Sequence, residues 1–229
     1  MRAGQWFFRR CDVGRDEARA HLAAGGAKLD APRLSALLQV ALHVGDALRL
    51  TLRAGEDDDL VGVVGAGLMG HGIAQVAAEA GYDVVGVDGA PTAVAHARSN
   101  AAAHGVDARF EVADALTLTA DQTYDTIIDS ALFHIFDDTD RATYVARLHT
   151  ISNVGSVVHV LALSDEGRGL GPEVSETMIR NAFGAGWEIE SLTRTTYRGV
   201  VTALQADAMN LAPGTVVDEP AWLARVRRL

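Results

Sequence analysis

After residue 60 the hydrophobic pattern alternates between short apolar runs and longer amphipathic stretches. The runs are typical of buried strands, and the stretches between them have helical spacing. We predict strands at Leu60–Val64, Asp83–Val87, Ala108–Val112, Tyr124–Asp129, Ser156–Leu163, Trp187–Thr193 and Val200–Gln205. Helices are predicted at Leu68–Ala80, Pro91–Ala103, Asp140–Ser152 and Ser175–Phe183. This alternation predicts a parallel sheet with helices on both faces.

The last two predicted strands are separated only by Arg194–Gly199, which is too short for a crossover helix. They should therefore form an antiparallel hairpin at the edge of the sheet. The predicted fold class is α/β: a Rossmann-like, doubly wound, mostly parallel sheet of seven strands with an antiparallel C-terminal β-hairpin.

The chain before residue 60 has a different pattern. It predicts helices at Asp16–Ala24 and Ala31–Arg53, followed by the acidic run Glu56–Asp59, which is interpreted as a solvated linker. The predicted organisation is a helical N-terminal extension over residues 1–59 and a Rossmann-like domain over residues 60–229.

A glycine-rich turn follows the first predicted strand. Gly65, Gly67 and Gly70 have the G-x-G-x-x-G spacing, an amphipathic helix follows, and Asp88 ends the second strand. In such a unit the glycines permit a tight turn, close approach of a ligand and packing of the helix on the strand, and the acid binds ribose hydroxyls. The sequence therefore predicts a nucleotide-like ligand, the alternative being a structural glycine turn.

The composition of the chain disfavours several classes of binding partner. The 30 acidic and 20 basic residues give a net charge of −10, which disfavours nucleic acid because phosphate binding needs clustered Lys and Arg. The single cysteine, Cys11, suits a reducing cytoplasm. No apolar stretch is long enough to span a membrane, and the histidines lack metal-ligand spacing, so neither a membrane partner nor a metal site is expected.

Residues 84–229 resemble the class I S-adenosylmethionine-dependent methyltransferases, closest to the small-molecule enzymes of the thiopurine or tellurite-resistance type. The resemblance is carried by the strand order with its terminal hairpin and by Gly86–Pro91, Ala97–Ala101, Arg109–Leu116, Tyr124–Phe136 and Leu161–Asp165. It implies S-adenosylmethionine as cofactor and a small-molecule thiol, hydroxyl or similar nucleophile as methyl acceptor.

Residues 61–85 instead resemble the NAD-binding start of 3-hydroxyacyl-CoA dehydrogenases, and Val63 occupies a position where methyltransferases usually have an acid. An NAD-binding oxidoreductase is therefore an alternative function. The His–Glu catalytic pair and the separate helical domain of that family have no counterpart in this sequence. A non-enzymatic nucleotide-binding chimera is a second alternative. The sequence leaves the oligomeric state open.

The methyltransferase resemblance also implies roles for individual residues. Asp88 would bind the ribose, and Asp114 with Ala115 would lie at the adenine. Asp129 and Ser130 follow the fourth strand at the carboxyl edge of the sheet, where ligands of such folds bind. The structural alternatives are a strand-end acid at Asp88, a helix-capping acid at Asp114, and a simple turn after the fourth strand.

His134 is the candidate catalytic base. It lies in the loop after the fourth strand, and an imidazole that titrates near neutrality could take a proton from a thiol or hydroxyl. The alternative is a histidine packed beside Phe133 and Phe136.

Overall fold

The computed structural model of the chain describes residues 60–67, 69–79, 81–119, 121–168, 171–201, 206 and 209–229. The predicted N-terminal helices and the domain boundary at residue 59 lie outside the described residues. Both remain predictions.

Seven strands form one sheet in the order β3-β2-β1-β4-β5-β7-β6. The strands β1 to β5 are parallel, and β7 runs antiparallel to its neighbours β5 and β6. Their bounds are β1 Leu60–Val64, β2 Asp83–Asp88, β3 Arg109–Val112, β4 Tyr124–Ser130, β5 Ser152–Leu163, β6 Trp187–Val200 and β7 Val216–Arg228. The predicted α/β fold with a mostly parallel sheet and a C-terminal antiparallel hairpin is confirmed.

Helices connect the parallel strands, and local signals mark where they begin. The α-helices are α1 Gly70–Glu79, α2 Pro91–His104, α3 Asp138–Thr150 and α4 Glu176–Ala182, with a 3-10 helix at Phe133–Ile135. Pro91 occupies the first turn of α2, where its missing N–H costs nothing. Asp137 and Ser175 cap α3 and α4 through side-chain oxygens that accept backbone N–H groups.

Each face of the sheet carries its own apolar core. Strand residues alternate between the two faces, so β1 and β4 contribute to both cores. The face of α1 and α2 buries Val61, Val63, Ile73, Ala77, Val94 and Ile128. The face of α3 and α4 buries Val64, Ile127, Tyr144, Leu148, Val158, Val160 and Ile179. These two cores hold the carboxyl ends of the parallel strands in line at one edge.

The predicted bounds of the hairpin were wrong. Residues 194–199, predicted as a turn, continue β6 to Val200, and the return strand is Val216–Arg228 rather than Val200–Gln205. The sequence pattern does not predict β7, because it contains Pro220 and proline normally argues against a strand interior. Here Pro220 instead accepts a hydrogen bond from Ser164 through its carbonyl. Among the described residues, no helix is long and apolar enough to cross a membrane.

Candidate functional site

The candidate site lies where the strand order reverses, between β1 and β4. In open α/β sheets the crevice outside the carboxyl ends of the strands at such a reversal is the usual place for a ligand. The glycine-rich loop follows β1 there. Gly65 has φ +93°, a left-handed conformation that favours glycine. The N–H groups of Gly65 and Ala66 both donate to the carbonyl of Val87, at 2.8 and 3.1 Å, which ties the loop to the end of β2.

The other two predicted glycines face different neighbours. Among the described residues, a Cβ built at Gly67 would meet only the Oδ2 atom of Asp88 within 4 Å, at 4.0 Å, so they leave this part of the loop uncrowded beside the carboxylate. A Cβ at Gly70 would lie 1.7 Å from the carbonyl oxygen of Gly65. The third glycine therefore lets α1 begin directly against the loop.

Asp88 and Asp114 follow β2 and β3 at the same edge. Asp88 Oδ1 accepts the N–H of Ala90 at 2.8 Å, and its carbonyl accepts the N–H of Ala113 at 3.1 Å. Asp114 is exposed, and its Oδ1 accepts the N–H of Leu116 at 2.9 Å, while Ala115 is half-buried. The two acids thus follow neighbouring strands at one edge of the sheet, and Asp88 borders the glycine loop.

The side chain of Asp129 faces α3 and not the turns that carry Asp88 and Asp114. Its carboxylate is fully buried on the α3 face, where Oδ2 accepts the hydroxyl of Tyr144 at 2.8 Å. Its Oδ1 accepts the N–H groups of Leu132 and Phe133 at 3.0 and 3.1 Å. Burial raises the pKa of Asp129 to about 6, although all three hydrogen bonds favour the charged form. The carboxylate of Asp129 thus forms its hydrogen bonds within the α3 core and with the loop after β4, and it does not face the glycine loop.

Ser130, the next residue, alternates to the opposite face, the one that carries α1. Its hydroxyl is buried and has no hydrogen-bond partner among the described residues. A Cβ built at Gly65 would lie 3.9 Å from the Cβ of Leu132, so the loop after β4 borders the glycine loop. Between them Ala131 has φ +71°, and its N–H donates to Leu161. Such strain in a residue other than glycine is concentrated at functional sites.

His134 is buried in the 3-10 helix, with 3% of its surface exposed. Its Nδ1 accepts the N–H of Leu163 at 3.0 Å, which fixes the ring against the end of β5. Burial lowers the pKa of His134 to about 4, so the ring is neutral at pH 7. These features support the packing alternative, and the role of His134 as a base stays a prediction.

Sequence reasoning missed two residues of this site. Tyr144 lies fifteen positions after Asp129 on α3, and only the packing of α3 on the sheet brings the two together. Ala131 has no sequence signal for its left-handed backbone. Within the described residues no group of three or more His, Cys, Asp or Glu could hold a metal ion.

Comparison with known proteins gives a family for this arrangement. Residues 63–156, which include the whole glycine-rich turn, match the model of a methyltransferase domain. A solved protein, from work on the conversion of a disulfide bond into a thioacetal group during echinomycin biosynthesis, is 33% identical. The similarity covers 80% of this chain and 79% of that one, with a TM-score of 0.66.

The chain belongs to the class I S-adenosylmethionine-dependent methyltransferases. A curated relative, the 2-heptyl-1-hydroxyquinolin-4(1H)-one methyltransferase of Mycobacteroides abscessus, is 33% identical over 123 residues. The match covers 51% of this chain and spans about half, 54%, of that relative. Magnesium protoporphyrin IX methyltransferase from Synechocystis, solved with bound S-adenosylhomocysteine, shares the fold at 17% identity, 94% coverage of each chain and a TM-score of 0.65.

The residues of the site fit S-adenosylmethionine. The uncrowded Gly67 leaves space beside the Asp88 carboxylate, and the buried hydroxyl of Ser130 has no hydrogen-bond partner among the described residues. Buried polar groups normally find a partner, so an orphan hydroxyl at this edge is consistent with a polar ligand. None of these comparisons supports the dehydrogenase alternative.

Replacing Tyr144 by Phe should destabilise the protein more at pH 8 than at pH 5. The hydroxyl stabilises the charged carboxylate of Asp129, whose folded pKa of about 6 lies above the ordinary 3.8. The contribution of the protonated carboxyl to folding stability is therefore lost as pH rises through 6. Above that pH the carboxylate is charged, and removing its hydroxyl donor should lower the free energy of unfolding by a further ~1–3 kcal/mol. Urea unfolding at both pH values measures it. In an Asp129→Asn background the pH difference should vanish, and equal costs at both pH values would contradict the assignment.

Replacing His134 by Gln should reduce the loss of stability in acid. The folded pKa of about 4 lies below the ordinary 6.5, so the neutral ring contributes stability that is present above pH 6.5 and lost as pH falls towards 4. At pH 4.5 we expect a loss of order 2–3 kcal/mol. Gln keeps an acceptor for Leu163 but does not titrate. Urea unfolding at pH 7 and 4.5 tests this, with the exposed His96→Gln as control; identical acid losses in wild type and His134→Gln would refute it.

Proposed function

We propose that this chain transfers a methyl group from S-adenosylmethionine to a hydroxyl, thiol or similar nucleophile of a small molecule. The observation that carries the proposal is the convergence, at the reversal of strand order, of the uncrowded Gly67, the Asp88 carboxylate and the orphan hydroxyl of Ser130. Such a convergence at the carboxyl edge is where open α/β sheets bind nucleotides.

The proposed cofactor contacts divide along the edge. Backbone of Gly65, Gly67 and Gly70 would let the cofactor approach β1, and the Asp88 carboxylate would accept the ribose hydroxyls. Asp114 and Ala115 would lie at the adenine, and Ser130 would face the methionine portion. Bound S-adenosylmethionine supplies a methyl group already activated by its sulfonium, so the chain has mainly to align donor and acceptor and to exclude water.

Asp129 is proposed as a positioning residue and not as a cofactor contact. Its oxygens are occupied by Tyr144 and by the backbone of Leu132 and Phe133, so it would act by holding the loop that carries Ser130. His134 is likewise proposed as a packed neutral ring that anchors the loop to β5, because its Nδ1 already accepts from Leu163.

Two relatives support a small-molecule acceptor. The Mycobacteroides abscessus enzyme is named for a hydroxyquinolone, and the solved relative comes from work on echinomycin biosynthesis. The net charge of −10 also disfavours a nucleic-acid acceptor. Both observations support the proposal of a small-molecule acceptor.

Replacing Asp88 by Ala should weaken binding of S-adenosylhomocysteine by about ten- to a hundredfold. The carboxylate would otherwise make charge-assisted hydrogen bonds to the ribose, worth ~1.5–3 kcal/mol. Isothermal titration calorimetry measures the dissociation constant. Asp83→Ala, which removes an exposed acid at the other end of the same strand, is the matched control and should bind as the wild type does.

An Asp88→Ala variant that binds S-adenosylhomocysteine as tightly as the control would remove Asp88 from the cofactor site. Asp88→Asn retains an acceptor for the N–H of Ala90 and therefore distinguishes a lost contact from a distorted turn. It should also bind more weakly than wild type, because the neutral amide makes weaker hydrogen bonds than the carboxylate.

A further inference from the structure

The distal part of the C-terminal hairpin reaches the glycine-rich loop. The hydroxyl of Tyr197, on β6, donates to the sulfur of Met69 at 2.6 Å. Strand β6 is the edge of the sheet and lies four strand positions from β1, which corresponds to about 19 Å at the usual spacing. Only the end of the hairpin, turned by the twist of the sheet, can span that distance. The contact therefore brings Tyr197 of the hairpin to the carboxyl edge, beside the glycine-rich loop.

Register identifies which hairpin side chains share the face of Tyr197. Tyr197 pairs with Glu219 across the β6–β7 ladder, and directly paired residues project to the same side of a sheet. Glu219 therefore faces the side on which Tyr197 meets Met69. Asp218, its neighbour, alternates to the other side, where it holds Arg198 through two hydrogen bonds of 2.6 and 2.8 Å.

Glu219 is a buried carboxylate with an unfilled acceptor. It is 7% exposed, and its Oε1 has no hydrogen-bond partner in the part of the chain that the structure describes. The half-exposed Arg168 places its Nε 3.4 Å from that oxygen, which balances the charge without making a hydrogen bond. A buried carboxylate oxygen without a hydrogen bond is costly, and native structures have few of them. A donor from a ligand would satisfy Glu219.

We propose that Glu219 and Tyr197 form the acceptor-binding wall of the methyltransferase site, and that Glu219 selects acceptors that donate a hydrogen bond from a hydroxyl. The inference rests on the proposed function, and it narrows the acceptor from thiol or hydroxyl to hydroxyl. Register through β5 and β7 places Ser130 on the same face of the sheet as Glu219, and its hydroxyl also has no hydrogen-bond partner among the described residues.

The chemistry of the two nucleophiles explains the selection. A hydroxyl donates a strong hydrogen bond to a carboxylate, whereas a thiol is a weak donor. A thiolate would be repelled by a buried carboxylate, because the repulsion between like charges is strong where solvent screens it poorly. Glu219 should therefore favour an aromatic alcohol over the corresponding thiol by about 10- to 100-fold in affinity.

The test compares 2-naphthol with 2-naphthalenethiol, which share one ring system. Each probe is titrated by calorimetry into the full chain saturated with S-adenosylhomocysteine. Wild type should bind 2-naphthol at least about tenfold more tightly than the thiol. Glu219→Leu should remove that preference, and Glu219→Gln, which keeps the shape, should reduce it to a few-fold. Asp218→Asn, the matched control on the opposite face of β7, should retain it.

Three results would overturn the proposal. The first is a wild type that binds neither probe or does not distinguish them, and the second is a preference that survives in both Glu219 variants. The third is a Glu219 variant that weakens S-adenosylhomocysteine itself, which would place Glu219 at the cofactor. Failure of the proposed function is separate, because it would appear as a wild type that does not bind S-adenosylhomocysteine at all.

Discussion

The buried carboxylate of Asp129 is the interaction on which the candidate site depends. It ends β4 in the α3 core and accepts three hydrogen bonds, one from Tyr144 and two from the backbone of Leu132 and Phe133. Those backbone bonds fix the loop after β4 in a conformation that includes the left-handed Ala131. The strain at a residue other than glycine costs of order 1–3 kcal/mol and persists because the bonds around it determine the loop.

Side chains along β4 project alternately to the two faces of the sheet, so the position of Asp129 also fixes that of Ser130. Asp129 faces α3, so Ser130 must face α1, and the fixed loop that follows borders the glycine-rich turn at Leu132. The turn is itself tied to β2 by two hydrogen bonds to Val87, next to Asp88. Core packing on both faces thus sets the relative positions of β1, β2 and β4, and the candidate site lies at the edge where the three strands end.

Much of this architecture could be predicted because its signals are local. The apolar runs of β1 and β2 and the glycine spacing are contiguous in sequence, and Pro91 and Ser175 mark helix starts through bonds within a few residues. The hairpin was misplaced because its return strand contains Pro220 and pairs with β6 across a long connection. Local propensity does not determine which distant segment completes an edge.

The candidate site could be proposed from the sequence in part for the same reason. The glycines, Asp88 and Asp114 follow strands whose positions the pattern shows. Side chains alternate between the two faces along β4, and this alternation decides the direction of the Asp129 side chain. Its partner Tyr144 is brought near only by the tertiary packing of α3. Tyr197 and Glu219 reach the edge through the register of β6 and β7, and no motif near them indicates it.

The ligand preference of the first β–α–β unit tests the central claim most directly. Its glycine spacing resembles a dinucleotide turn, yet the chain belongs to the methyltransferase family. The measurement is the melting midpoint of the full chain with S-adenosylhomocysteine at a hundred times its dissociation constant, and with NAD at that same concentration. Saturation of one site stabilises the fold by ~2.7 kcal/mol, a shift of roughly 5–10 °C. The account predicts this shift with S-adenosylhomocysteine and a smaller one with NAD; a large shift with NAD and none with S-adenosylhomocysteine would contradict it.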